Sequence, residues 1–467
     1  MPPVYEFEFL VMKTVRHICF ATALLHSAFS SCGQTYQWTT IAGLAGKPGF
    51  TDGTNGAARF GVPAALVVDS VGNLFVADAA YGIVRKLTPS GSNWVVTTIA
   101  GLANQYGSTD GVGDAARFSS IFGLAQDGSG SLYVADSASV GKPVNNLLRK
   151  ITPTGNAWIV STIAGAVGST DSLDGTGSAA RLDAPNAVAV DTSGNLFIVQ
   201  DDNLVRKASP AGDNWMVTTI AGSRDMSGRV VFGYADGPGN TALFRGPKGV
   251  ALDKRGNVYV TDASNRVIRK LTSTGAGWEV TTVAGLAGNP GHVDGTNSQA
   301  RFVAPENIVF DQDDNAYITD NTTIRRMTQQ GADWVVNTIG GLPGKTGSTD
   351  GTNSQALFSF PWGIGVDTAG NVYVGDSMNG GTIRRGVPVL PASSGVVLGI
   401  SILPGKAVGL SWNAVPGQKF QVQDKRDVLQ ATWSNLGDPI VASGPVASLS
   451  DTPGQDTQKF YRVALLP

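Results

Sequence analysis

Six positions in this chain differ in side-chain type while the sequence around them repeats. Each opens a short apolar run, and in chain order they hold Ala64, Phe122, Asn186, Lys248, Glu306 and Trp362. The residues that follow them are Ala65, Gly123, Ala187, Gly249, Asn307 and Gly363. If the runs are brought side by side, Asn186, Lys248, Glu306 and Asn307 form a polar arc, and Phe122 and Trp362 an apolar side. A concave surface with apolar walls and a few convergent polar groups suits a small ligand. In a blander reading, Lys248 and Glu306 neutralise each other and Trp362 fills the hole. The oxygens of Asn186, Glu306 and Asn307 are hard donors of the kind calcium takes, although Lys248 stands between them and opposes an ion. Zinc chemistry needs several imidazoles. Of the three His in the chain, His17 and His26 lie near the N-terminus and His292 sits alone in a loop read as solvent-exposed. That single His and the absence of a G-x-S-x-G elbow leave a serine triad without support. No catalytic residue is assigned, and the inventory favours binding over catalysis.

These six positions recur because the chain repeats. A turn beginning with Asp and ending at Asn or Ser occurs at Asp69–Asn73, Asp127–Ser131, Asp191–Asn195, Asp253–Asn257, Asp311–Asn315 and Asp367–Asn371, at intervals of 56–64 residues. Periods of this size mark stacked supersecondary units. Each unit holds four short β-branched or aromatic runs between Gly/Asn/Asp/Ser turns, a pattern of four strands. The array enters with a lone fourth strand (36–43) and leaves after a third strand (382–387). Pairing the two closes a ring and removes exposed edges. The expected fold is all-β: a six-bladed β-propeller closed by an N-terminal outer strand, followed by a small β-sandwich.

Residues that repeat in every unit are read as scaffold. Trp94, Trp158, Trp215, Trp278 and Trp334, with Tyr36 in the same register, are expected to pack rather than stack on sugar. Arg85, Arg149, Arg206, Arg269, Arg325 and Arg384 are expected to pair with the Asp that closes the second strand (Asp78, Asp136, Asp262, Asp320, Asp376; Gln200 in the third unit). The Asp-Gly loops at Asp52, Asp110, Asp174, Asp236, Asp294 and Asp350 lack the dense carboxylate pattern of a calcium loop. They read as turns into a short helical turn whose Phe (60, 118, 244, 302, 358; Leu182 in the third unit) wedges between blades. Insertions at 137–146 and 223–235 add variable surface, either recognition loops on a rigid scaffold or flexible linkers.

The segments Gly72–Asp78, Gly256–Lys270 and Gly370–Asp376 (G-N-L-F-V-A-D, G-N-V-Y-V-T-D-A-S-N-R-V-I-R-K and G-N-V-Y-V-G-D) resemble NHL repeats over residues 36–387. The resemblance implies strands running from channel to rim, with the Asp-Gly connections and the second-to-third-strand turns on one face. It also implies a choice of roles. Some NHL propellers bind RNA through strongly basic faces. Others include an amidating lyase using zinc and calcium, and related propellers include calcium-dependent lactonases. Here the formal net charge is −2, which gives no basic excess for phosphate, so nucleic acid is excluded. The function expected is that of a secreted, non-catalytic binding or scaffold propeller. Its ligand is a protein, peptide or glycan engaged by Phe122, Asn186, Lys248, Glu306, Asn307 and Trp362. The alternative is a calcium-dependent, lactonase- or lyase-like enzyme using Asn186, Glu306 and Asn307.

Residues 1–35 read as a signal peptide, with Lys13 and Arg16 before the apolar run Ile18–Phe29, and with Met12 as the true start. This implies a secreted, periplasmic or cell-surface bacterial protein. The two Cys, Cys19 and Cys32, would then be lost or left single, so no intramolecular disulfide forms. Lipidation at Cys32 is a lesser option. Residues 388–395 read as a linker. Residues 396–467 resemble a fibronectin type III-like module, on L-S-W, F-Q-V-Q, W-S-N-L-G and F-Y-R-V, with strands at 408–412, 419–423, 432–436 and 460–464. No transmembrane segment is expected, and a closed ring needs no partner, so a monomer is expected.

Overall fold

The computed structural model describes residues 9–12, 34–377, 381–389, 398–402, 408–414, 417–425, 432, 434–444, 446–452 and 458–466. The apolar leader run and residues 390–395 of the linker lie outside the described residues. Two compact units are present, Gly33–Val389 and a second made of Met1–Cys32 with Leu390–Pro467.

In the first unit the described residues form six five-stranded antiparallel sheets. Their innermost strands are Pro63–Val68, Ser120–Gln126, Pro185–Val190, Pro247–Leu252, Pro305–Phe310 and Pro361–Val366. Each packs against the next, and the last packs against the first, so the sheets form a ring of blades. Apolar alternation drives this arrangement. The second strand of every blade, Leu74–Asp78 for example, is buried along its whole length, and each inter-blade cluster combines side chains from two blades. The sequence reading of four strands per blade is one short. Gly53–Thr54 of the Asp-Gly loop pairs with Val95 and Val96 on the outer edge, and the same two-residue strand recurs in every blade.

The ring closes through Thr35–Gly43, which pairs antiparallel with Thr382–Val389. That pairing uses Pro388 and Val389, so the expected linker starts later than residue 388. Trp38 is the centre of the closure. It sits opposite Gly386, at the register held by Val96, Val160, Val217, Val280 and Val336 in the other blades. Its indole is fully buried, donates from Nε1 to the Ile339 carbonyl at 2.9 Å and meets the Phe358 ring edge-on at 5.1 Å. Two glycines make room for it. A Cβ at Gly340 would lie 2.6 Å from the indole nitrogen, and one at Gly386 2.8 Å from the six-membered ring.

The second unit carries two small sheets. One orders Leu398–Ile402, Val408–Asn413 and Val446–Asp451. The other joins Gln458–Leu466, Lys419–Lys425 and two short strands, Ser434–Asn435 and Ile440–Val441. They share one core of Leu410, Trp412, Phe420, Val422, Tyr461 and neighbours. The sequence reading missed Leu398–Ile402, Ile440–Val441 and Val446–Asp451. Phe9–Met12, within the stretch read as a leader, pairs with Gln458–Tyr461 at the edge of the second sheet.

The closure yields a prediction. Trp38→Val, although Val serves in every other blade, should cost about 3–5 kcal/mol because Gly340 and Gly386 leave its space empty. Gly386→Leu alone should also destabilise. The double variant should recover part of the loss, a coupling read by urea unfolding. Additive losses would show that Trp38 and Gly386 are not a matched pair.

Candidate functional site

The frame around the site is a repeated anchor. In each blade the third-strand Arg is fully buried and forms an ion pair with the Asp of the Asp-Gly loop: Arg85–Asp52 2.7 Å, Arg149–Asp110 2.7 Å, Arg206–Asp174 2.8 Å, Arg269–Asp236 2.7 Å, Arg325–Asp294 2.9 Å and Arg384–Asp350 2.8 Å. The expected pairing with the second-strand residue is also made, to Asp136, Asp262, Asp320 and, at 3.9 Å, Asp376, with Gln200 accepting from Arg206 in the third blade, so the loop Asp is a further partner that the sequence reading did not name. In the first blade Asp78 instead accepts hydrogen bonds from the Gly61 and Val62 amides. The loop Asp also accepts from the fourth strand, Asp52 from the amide and hydroxyl of Thr98 for example. The Asp-Gly loop is therefore tied to two strands and is more than a turn.

The wedging aromatics fall where expected. Phe60, Phe118, Phe244, Phe302 and Phe358 are fully buried, and the Arg of the same blade lies over each ring at 4.7–5.1 Å. The third blade has Leu182 and lacks this contact. The outer-strand aromatics also pack. Each meets a ring on the second strand of the preceding blade edge-on, as Trp158 meets Phe75 at 5.5 Å and Trp94 meets Tyr373 at 5.9 Å.

Within this frame each variable position lies near the start of an inner strand, and four of the residues that follow them, Ala65, Gly123, Ala187 and Asn307, line a central channel of about 340 Å³. The channel wall is mainly Ala, Val, Leu and Ile from the inner strands, with Asn307 at one end. Phe122 of the second blade and Trp362 of the sixth reach over the intervening blade and stack, with centroids 5.4 Å apart and planes at 22°. Ala64 between them is fully buried, and Phe360 abuts Trp362 edge-on at 5.5 Å. The aromatic side is thus a continuous wall.

The polar side is arranged differently from the expectation. Lys248 does not pair with Glu306. Its ammonium is 2.8 Å from Asp201, which also accepts a 2.6 Å bond from the Asn186 amide. The Asn186 amide reaches the Pro247 carbonyl as well, at 3.2 Å. Asn307 is structural in part, donating from its side chain to the Ala64 carbonyl at 3.3 Å. The residues in its register include Gly123, Gly249 and Gly363, which permit close strand approach. A Cβ at Gly249 would lie 2.6 Å from the Glu306 carbonyl oxygen. Glu306 is partly exposed, and its carboxylate has no ion pair or hydrogen bond among the described residues. Burial pushes its pKa up, Lys248 pulls it back, and Asp320 and Asp201 push it further up.

The sequence reading missed Asp183, Asp201 and Asp202 beside Asn186. The signal was the third blade's departure from the repeat, with Gln200 where the others have Asp. Asp183 is pushed up to about 6 by burial and by Asp202, Asp201 and Asp171. Ala184, next to it, has φ 44°, and among the described residues no other alanine takes a positive φ. The amide nitrogens of Asn186 and Asn307 donate to neighbouring acceptors, so their oxygens are the atoms that a calcium ion would take. Among the described residues no group of three or more His, Cys, Asp or Glu is placed to hold a metal.

His292 is not simply solvent-exposed. It lies against Thr323 at 3.4 Å and Asp320 at 3.9 Å, and burial lowers its pKa. The first insertion is held in place by Lys142, whose ammonium donates to the Ala79 and Ala80 carbonyls at 2.6 and 2.9 Å. The second carries a short hairpin, Ser223–Arg224 with Val230–Val231, and exposes Met226 and Phe232. Neither insertion is a bare linker. No helix among the described residues is long and apolar enough to cross a membrane.

Comparison with known proteins places this architecture. Residues 49–231 match the Teneurin NHL domain family. Teneurin-3 of Danio rerio is 26% identical over 354 residues, 68% of this chain and 12% of Teneurin-3, so the chain spans a small part of that relative. Among solved structures, a protein of unknown function from Bacteroides thetaiotaomicron superposes with a TM-score of 0.56 at 19% identity, covering 76% of both chains. An auxiliary nutrient binding protein from Bacteroides ovatus superposes with a TM-score of 0.55 at 17% identity, covering 76% of this chain and 78% of that one. These likenesses show an all-β propeller fold, and the match to the NHL family model covers residues 49–231.

The raised Asp183 gives a signed pH prediction. An acid whose pKa is higher when folded stabilises the fold below its unfolded value, and that contribution is lost as pH rises through about 6. Asp183→Asn should leave the melting temperature unchanged near pH 4 and raise it by a few degrees above pH 7. A pH-independent difference in calorimetry would separate Asp183 from its acidic neighbours.

Proposed function

We propose that this chain is a non-catalytic binding propeller whose ligand is engaged at the channel mouth. The observation that carries the reading is the contrast between frame and mouth. The Arg, Asp and aromatic positions are reused from blade to blade, whereas the six mouth positions hold six different side-chain types. Repeated positions serve the frame, and positions freed from it can serve a ligand. The stacked Phe122–Trp362 wall, facing Asn186, Lys248 and Glu306, supports a site with one apolar and one polar side. The ligand classes this suits are a glycan or a peptide. The nutrient-binding title of one structural neighbour is compatible with this reading and does not identify a ligand.

Export is part of the proposal, with residues 1–35 as the leader and a secreted, periplasmic or cell-surface location. The second unit would serve as a fibronectin type III-like spacer or anchor. The ring would act as a monomer and without nucleic acid. The calcium-dependent, lactonase- or lyase-like reading would use Asn186, Glu306 and Asn307. It is disfavoured because the Lys248 ammonium is near enough to Glu306 to lower its pKa, and a positive group there opposes an ion.

The test is a pair of arrays, glycan and peptide, probed with the purified chain and with Trp362→Ala, Lys248→Ala and Glu306→Ala. Trp362→Ala should lower binding about tenfold or more while the melt shows a folded protein. Hits that survive all three substitutions would place recognition elsewhere. A calcium ion that co-purifies, and whose removal by EDTA lowers the melting temperature, would favour the enzyme reading.

A further inference from the structure

The frame contains its own precedent for the mouth. In five blades a guanidinium lies over an aromatic ring and also touches a carboxylate, as Arg85 lies 4.8 Å from the Phe60 centroid and 2.7 Å from Asp52. The chain thus builds, five times, a cation seat from an aromatic face and a carboxylate, and fills it with its own arginine. At the mouth the same two partners occur without a cation. Trp362 presents an aromatic surface within the wall it forms with Phe122 and Phe360. Glu306 stands on the adjacent inner strand, and the two strands pack together. The nearby cation, Lys248, is committed to Asp201 at 2.8 Å. Arg245, near the start of the same inner strand as Lys248, lies over the Phe232 ring at 5.6 Å.

Resting on the binding reading above, we propose that the mouth takes an organic cation, an ammonium or guanidinium group, seated between the Trp362 face and the Glu306 carboxylate. A partly buried carboxylate without an ion pair is costlier to keep charged than one in water, and burial raises the Glu306 pKa accordingly. A ligand that brings a positive group relieves that cost and gains the attraction of the indole face, the strongest among side-chain rings. A neutral sugar would stack on the wall and leave Glu306 uncompensated. The same chemistry can come from two sources, a Lys or Arg side chain of a peptide or the amine of an amino sugar.

Three pairs of probes, each a cation with an uncharged counterpart, test this by isothermal titration. They are Nα-acetyl-lysinamide with Nα-acetyl-norleucinamide, Nα-acetyl-argininamide with Nα-acetyl-citrullinamide, and glucosamine with glucose. In the unmodified protein the cation of at least one pair should bind about tenfold or more tightly than its counterpart. Glu306→Gln, which keeps size and shape, should abolish that preference, and Trp362→Leu should weaken the cation. The pair that responds identifies the source. Equal binding within every pair, or a preference that survives Glu306→Gln, overturns the inference. If glucose binds as well as glucosamine and Trp362→Leu removes both, the cation fails while ligand binding at the mouth stands. If no cationic probe binds the unmodified protein, the cation inference falls, and the arrays alone then judge the binding reading.

Discussion

The closing strand is the constraint on which the rest depends. A propeller of open sheets would present an unpaired edge at each end of the array, and such edges aggregate or pair with other chains. Thr35–Gly43 removes both by completing the last blade from the other end of the array. The contact is specialised. Trp38 fills a space that Gly340 of the fifth blade and Gly386 of the closing blade leave open, so three residues in two blades depart from the repeat together. Only this matched set lets a strand that is remote in sequence dock in one register.

Once the ring is closed, rigidity comes from a device reused in every blade. A buried Arg reaches from the third strand to the Asp-Gly loop, and the loop carboxylate returns to the fourth strand. The Arg, which in isolation would be costly to bury, is satisfied by a carboxylate and by loop carbonyls such as those of Thr51 and Arg59. In five blades it also covers the Phe that wedges against the preceding blade. Loop, sheet and inter-blade packing are thus held by one side chain. This leaves the mouth positions free of structural duty, apart from those where a glycine or Asn307 spaces neighbouring strands.

Freedom at the mouth shows in its chemistry. The third blade departs most from the repeat, with Leu182 for Phe, Gln200 for Asp and a run of Asp201 and Asp202. Those departures place a carboxylate where Lys248 and Asn186 can both reach it, and this removes Lys248 from Glu306.

Much of this was legible in the chain. A period of 56–64 residues, four β-patterned runs per period, an orphan strand at one end and a three-stranded unit at the other point to a closed ring of antiparallel sheets, because local pattern and edge pairing leave few alternatives. The wedging Phe and the outer-strand aromatics were legible for the same reason, since they repeat. The second-strand partner of the Arg was legible and is made in every blade but the first, whereas the loop Asp as a further partner was not, because only the path of the Asp-Gly loop along the outer edge brings it to the guanidinium. The Phe122–Trp362 stack, the Lys248–Asp201 pair and the uncompensated Glu306 join residues from different blades. Their proximity depends on how far side chains reach across the ring, a distance that no spacing along the chain encodes. Sequence by itself determined the blades and the variable positions. The tertiary structure alone decided which of those positions touch, because closing the ring converts separation along the chain into adjacency in space.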